Sequence, residues 1–175
     1  AHGTKSLAES AGGRHSRGSV GGPRGRYTDT WDVAGVTLGR TMPDDTAVAM
    51  NLDDRCVVLA LTHDPKLDDL ALMEALKSPS FYVGALGSRA NNARRRERLR
   101  EFDLSPEEIA RLHGPVGLYI GSRTHPEIAV SILAEITTVK NGVALTENAQ
   151  VADAKDRTGP SNDCATSQRS VGLRR

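Results

Sequence analysis

Two segments of the sequence place glycine, serine and arginine directly after an apolar run. Gly87-Ser88-Arg89 follows residues 81–86, and Gly121-Ser122-Arg123 follows residues 116–120. Glycine lets a ligand approach the backbone closely, and serine and arginine can donate hydrogen bonds to an anion. At the start of a helix, the unpaired N–H groups of the first turn also attract negative charge. Two such segments suit a ligand with separated anionic groups, such as a dinucleotide or a pterin phosphate.

The same residues also have a purely structural interpretation. A serine or threonine side chain before a helix accepts a bond from a first-turn N–H, so Ser88 is a natural helix cap. Thr124, three residues before Glu127, has the spacing of a capping box. For either segment alone, the sequence leaves capping and ligand binding both open.

A third segment with polar side chains, Thr62-His63-Asp64, ends another apolar run. His63 and Asp64 could act as an acid–base pair or orient a cofactor. An aspartate before Pro65 also holds a turn, and that is the interpretation the segment favours when taken alone. The histidines lack cysteine or carboxylate neighbours at metal-ligand spacing, so we predict no metal site.

These segments are positioned by an alternation of apolar runs and helical patterns, which predicts an α/β fold with a parallel sheet. Ligands of such sheets bind at the carboxyl ends of the strands, so we expect the three segments to meet there. The predicted strands are 56–61, 81–86 and 116–120, and the predicted helices are 67–77, 88–100, 105 to about 114, and 124–141.

The composition excludes several classes of protein. Lys and Arg number 23 against 22 Asp and Glu, and 3% of residues are aromatic, which argues against nucleic-acid binding. The arginines at 94, 95, 96 and 98 are interpreted as a solvated helix face beside Glu97 and Glu101. The apolar runs are too short to span a membrane, and no signal peptide is recognisable. With two distant cysteines, we expect a reducing, cytoplasmic location.

The chain divides by composition into three parts. Residues 1–26 and 146–175 are rich in small and polar residues and are predicted to be disordered, whereas 27–145 form the folded domain. The glycines of residues 12–25 follow no apolar run, so the strand and G-x-G-x-x-G turn that open a dinucleotide-binding fold are not recognisable. The predicted fold is therefore a Rossmann-like sheet flanked by helices and lacking its first β-turn-α unit.

Three long motifs resemble the XdhC/CoxI family, the accessory proteins of xanthine dehydrogenase and related molybdenum hydroxylases. They are residues 62–69 (THDPKLDD), 82–89 (YVGALGSR) and 117–124 (GLYIGSRT) running on to Ile136. The resemblance covers about residues 27–143. The sequence departs from many members at Tyr119, where they have aspartate, and at 125–127, where they have Pro-Glu-Glu.

The resemblance implies a Rossmann domain that binds a molybdopterin-type molybdenum cofactor, in one form its cytosine dinucleotide, without catalysing a reaction. The family promotes sulfuration of this cofactor with a cysteine desulfurase and delivers it to the apo-subunit of a molybdenum hydroxylase. The positions that would hold the cofactor are His63, Asp64, Gly84, Gly87, Ser88, Arg89, Gly121, Ser122, Arg123 and Thr124.

Two other functions stay open at this point. An NAD(P)-dependent oxidoreductase could use His63 as a proton donor, but the missing glycine fingerprint weighs against it. A degenerate remnant would fold marginally and expose a sheet edge, which a homodimer could cover.

Overall fold

We describe the protein from a computed structural model. It describes residues 41–62, 64–145 and 149–151, together with the backbone of residues 18–21 and 36–39. In chain order the elements are β1 (Gly18–Gly21), β2 (Val36–Gly39), α1 (Pro43–Ala49), β3 (Val57–Ala60), α2 (Pro65–Lys77), β4 (Tyr82–Ala85), α3 (Arg89–Glu101), α4 (Pro106–Ala110), β5 (Leu112–His113) and α5 (His125–Lys140).

The strands form two parallel sheets. β3, β4 and β5 pair in that order, with Val57 opposite Tyr82 and Val83 opposite Leu112. β1 pairs with β2 in a separate two-stranded sheet. In the described part of the chain, no strand pairs with the outer edge of β3. The predicted α/β class with a parallel sheet is confirmed.

Alternate residues of β4 face two different hydrophobic cores, which places helices on both faces of the three-stranded sheet. Val83 and Ala85 pack in a core with residues of α2, α3 and α4, among them Leu72 and Leu99. Tyr82 packs on the other face against residues of α5, including Ile132. The helices thus hold the sheet rigid from both sides, which fixes the loops at its edge.

Side-chain caps determine where α2, α3, α4 and α5 begin. The Asp64 carboxylate accepts a bond from the Lys66 N–H at the start of α2, and Ser88 accepts one from the Asn91 N–H at the start of α3. Both predicted capping boxes are present, at Ser105 for α4 and at Thr124 for α5. The four predicted helices are therefore confirmed, with small differences at their ends.

The third predicted strand, at 116–120, is wrong. The strand that pairs with β4 is β5, and the helix before it ends at Ala110 instead of near Gly114. Val116, beyond β5, still donates its N–H to the Ala85 carbonyl of β4. The backbone leaves the ladder after it, because the Gly117 N–H bonds a carboxylate and Ser131 bonds the Leu118 carbonyl. Gly117 also has a φ of +116°, which an extended strand does not allow.

The division of the chain into 1–26, 27–145 and 146–175 stays a prediction, because much of the two end segments lies outside the described residues. β1 lies inside the segment 1–26 that we expected to be disordered, and the other residues of that segment lie outside the described residues. Residues 149–151 of the predicted tail make backbone hydrogen bonds to residues 117–119. No helix among the described residues has the length and apolar character needed to cross a membrane.

Candidate functional site

A buried ion pair joins the loops that follow β3 and β4. The Asp68 carboxylate accepts bonds from the Thr62 N–H at 3.3 Å and from the Thr62 hydroxyl at 2.8 Å. Its other oxygen lies 2.8 Å from Arg95 Nη2. Arg95 Nη1 in turn donates to the Leu86 carbonyl at 3.2 Å. One carboxylate and one guanidinium therefore fix the ends of both strands relative to each other.

Both partners of this pair are withdrawn from water. The side chains of Arg95 and Asp68 are 6% and 2% exposed. Burial raises the pKa of the Asp68 carboxyl, while the Thr62 bonds and the Arg95 charge oppose the rise. The interpretation of the whole arginine run as a solvated face is thus wrong for Arg95. Next to it, Arg98 donates to the Asp69 carboxylate at 2.6 Å.

The first Gly-Ser-Arg segment forms the turn into α3. Gly87 has a φ of +138°, a conformation that suits glycine, and Ser88 caps the helix. The Arg89 guanidinium donates to the Val151 carbonyl with two nitrogens, each at 3.4 Å. The first turn of α3 contains no acidic residue. The positive end of its dipole is therefore not neutralised by a side chain of its own first turn.

The second Gly-Ser-Arg segment is chemically different, because a carboxylate of the same helix occupies it. Glu127 Oε2 accepts bonds from the Arg123 and Thr124 N–H groups at 2.7 and 2.9 Å. These bonds lower the pKa of Glu127. Ser122 donates to the Glu127 carbonyl, and Gly121, with a φ of +73°, makes the turn. The N–H groups that an anion would use are thus already bonded.

A buried polar cluster around Glu135 anchors the backbone that leads into the second segment. Glu135, 1% exposed, accepts bonds from the Gly117 N–H and from His113 Nδ1, the latter at 3.0 Å. The His113 ring stacks on Tyr82 with a centroid separation of 4.4 Å. Burial raises the pKa of Glu135, but the hydrogen bonds outweigh it, so the pKa lies below its ordinary value.

Residues 149–151 connect the two Gly-Ser-Arg loops. The Tyr119 N–H donates to the Ala149 carbonyl at 2.7 Å, and the Val151 N–H donates to the Gly117 carbonyl at 2.9 Å. The same Val151 residue accepts the bonds from Arg89. The loops after β3 and β4 and the loop before α5 are therefore linked in one chain of hydrogen bonds along a single edge.

Three further predicted site residues, His63, Asp64 and Gly84, lie outside the two Gly-Ser-Arg segments of the sequence. Asp64 caps α2, and His63 lies outside the described residues. Gly84 is inside β4, where an added Cβ would lie 2.8 Å from Tyr82 Cε1, so it serves packing. Within the described ranges, no three His, Cys, Asp or Glu side chains are grouped as metal ligands.

The residues that hold the loops in place were not predicted from the sequence. Arg95 was grouped with its exposed neighbours, and Asp68 was included only as part of the motif at 62–69. His113 and Glu135 lie 22 positions apart, so no local pattern joins them. An acidic residue within the otherwise apolar face of the last helix was the available signal for Glu135.

The sequence matches a known protein family over most of its length. The model of the XdhC Rossmann domain matches residues 4–136. The chain belongs to this family. The match confirms the resemblance that the three motifs indicated. It also includes N-terminal residues that lie before the first of these motifs.

Two known proteins are similar to part of this chain. The chain is 42% identical over 88 residues to the uncharacterised protein YqeB of Escherichia coli K12, and 32% identical over 94 residues to its molybdenum cofactor insertion chaperone PaoD. These matches cover 50% and 54% of this chain but 16% and 30% of the two relatives.

A crystal structure of a xanthine dehydrogenase from Bacillus halodurans has a similar fold. It superposes with a TM-score of 0.63 at 24% identity, over 81% of this chain and 40% of that one. At this level of identity the superposition supports the Rossmann-like fold alone.

Replacing Arg95 tests the buried ion pair. We expect Arg95→Met to lower the free energy of unfolding by about 3–5 kcal/mol, because it leaves the Asp68 carboxylate buried without its partner. Arg94→Met, on an exposed position of the same helix, is the matched control and should change it by less than about 0.5 kcal/mol. Urea denaturation measures both, and equal losses would contradict the assignment.

The Glu135 cluster predicts a pH dependence. Because its pKa is lowered in the folded protein, Glu135 contributes stability above its ordinary pKa of 4.5, and this is lost as the pH falls through the folded value. Glu135→Gln should therefore be less stable than the wild type at pH 7, with a difference that shrinks below about pH 4.5. Denaturation curves between pH 7 and 3.5 measure it; a difference independent of pH would refute the assignment.

Proposed function

We propose that this domain holds a molybdopterin-type molybdenum cofactor at the edge formed by its Gly-Ser-Arg loops, as an accessory protein in the maturation of a molybdenum hydroxylase. Two findings support the proposal. The chain belongs to the XdhC Rossmann-domain family, and a relative with 32% identity is a molybdenum cofactor insertion chaperone. The convergence of the predicted loops along one sheet edge is the structural observation that carries it.

The chemistry of the loops fits an anionic end of such a cofactor. The start of α3 offers a glycine turn, the Ser88 hydroxyl, the Arg89 guanidinium and a helix terminus without acidic side chains in its first turn. The cofactor itself brings the molybdenum chemistry that the client enzyme needs and a phosphate group by which it can be held. Phosphate binding by a helix start and an arginine needs no further group from the protein.

The two loops would contribute unequally. At the second loop, Glu127 already bonds the backbone N–H groups of Arg123 and Thr124, so an anion there can interact mainly with the exposed Arg123 side chain. At the first loop, no acidic side chain lies in the first turn of α3, so the positive end of the helix dipole can attract a phosphate beside the Arg89 guanidinium. We therefore assign the phosphate to the first loop.

The finer steps of maturation are part of the same proposal. A cysteine desulfurase would sulfurate the bound cofactor, and the domain would transfer it to the apo-subunit without catalysing a redox reaction. The cytosine dinucleotide form would extend from the first loop toward Arg123. Asp64, which follows β3 and caps α2, would lie near the cofactor, and a contact from His63 stays a prediction from the sequence.

Loss of cofactor retention tests the assignment. Full chain is incubated with isolated molybdenum cofactor and passed through a gel-filtration column, and bound molybdenum and pterin are quantified. We expect Arg89→Ala to lower retention about tenfold or more, the double variant with Arg123→Ala to lower it further, and Arg123→Ala alone to have the smaller effect. Arg94→Ala, outside the loops, is the control.

Three outcomes would contradict the proposal or part of it. Unchanged retention of the cofactor in the double variant would rule out the proposed binding site. A larger effect of Arg123→Ala than of Arg89→Ala would reverse the assignment of the phosphate. Tighter retention of NADP than of the molybdenum cofactor would favour a nucleotide-dependent oxidoreductase instead.

A further inference from the structure

The outer face of α3 carries a surplus of positive charge that the proposed cofactor site does not use. The helix contains six arginines and two glutamates. Arg95 and Arg98 are bound by the buried carboxylates of Asp68 and Asp69. Of the other four, Arg100 forms an exposed ion pair with Glu97 at 2.5 Å and Arg89 belongs to the proposed cofactor site, whereas Arg94 and Arg96 have no carboxylate partner among the described residues. The net charge of the chain is only +1, so the positive charge that these four arginines contribute is local.

Three of these arginines line one groove of about 340 Å³. Its walls come from α3 and from the turn that follows β5, and the net charge of its lining is +2. The lining residues are Arg89, Ala93, Arg96, Glu97, Arg100, Gly114 and Pro115.

Arg96, at the centre of the groove, is held in place without an anionic partner. Its guanidinium donates to the Leu112 carbonyl at 2.7 Å and to the Gly114 carbonyl at 3.2 Å. Among the described residues it forms no ion pair with a carboxylate. Partial burial and the neighbouring Arg100 and Arg95 lower its pKa. A half-buried guanidinium that is fixed by neutral carbonyls can form an ion pair with a carboxylate or phosphate of another molecule.

The length and openness of the groove indicate which class of anionic ligand it fits. Arg89 and Arg100 are eleven positions apart on the helix, which corresponds to about 16 Å. The α3 wall is open, since Arg89, Ala93, Glu97 and Arg100 are all exposed, whereas small-molecule sites enclose most of their ligand. An extended peptide of about five residues has this length. No aromatic side chain lines the groove for base stacking.

We infer that the groove along α3 binds an extended acidic segment of a partner protein, with Arg96 as its central contact and Arg100 at one end. Carboxylates of the segment would pair with Arg96 and would compete for Arg100 with Glu97, its ion-pair partner in the free protein, which limits the sequences that fit. This surface is separate from the phosphate-binding function proposed for the α3 start, which it meets only at Arg89.

Fluorescence anisotropy with a labelled peptide of alternating glutamate and glycine tests the inference on the full chain. The peptide should bind, and a glutamine-for-glutamate peptide should not. Arg100→Glu, at an exposed position that leaves the fold intact, should weaken binding about tenfold or more. Glu97→Gln should tighten it, and Arg94→Glu, the same charge change outside the groove, should alter it about twofold or less.

The results that would overturn the inference are distinct. Equal weakening by Arg94→Glu and Arg100→Glu would mean unspecific attraction to a basic helix. Tighter binding of inorganic pyrophosphate or of a single-stranded oligonucleotide than of the peptide would show that the groove prefers an anion other than a protein segment. Failure of the peptide to bind at low salt would remove the site. None of these outcomes depends on cofactor retention, which the Arg89 and Arg123 variants test separately.

Discussion

The arrangement of the candidate site depends on one buried ion pair. Asp68 bonds the loop after β3, Arg95 bonds the loop after β4, and the two side chains bond each other. In a low-dielectric interior, neither charge is tolerable without the other, so the pair specifies one relative position of the two strand ends. The polar loops can then remain exposed while their positions are set from the interior.

The two similar Gly-Ser-Arg segments are not equivalent once they are folded. In the second segment, Glu127 neutralises the start of α5 and bonds the N–H groups that an anion would need. In the first segment, no acidic residue is present in the opening turn of α3. The difference comes from one residue three positions into the helix, which supplies an acidic side chain to the second segment and none to the first.

Local signals predicted most of the fold, because they act within a few residues. The caps at Ser105 and Thr124 and the apolar run of β3 are visible in the sequence and are present in the structure. β5 has only two residues and therefore no periodicity, so the apolar residues after it were mistaken for the strand. Arg95 resembles its exposed neighbours in sequence, and only its distant partner Asp68 makes it a buried residue.

Hydrogen exchange at the two strand ends tests most directly whether the ion pair fixes the loops of the site. With mass spectrometry, amide exchange in residues 62–66 and 86–89 is compared between the wild type and Asp68→Asn. The account predicts that both segments lose protection together while the interior of α5, on the opposite face of the sheet, keeps it. Loss of protection in residues 62–66 alone, with 86–89 unchanged, would contradict a shared anchor.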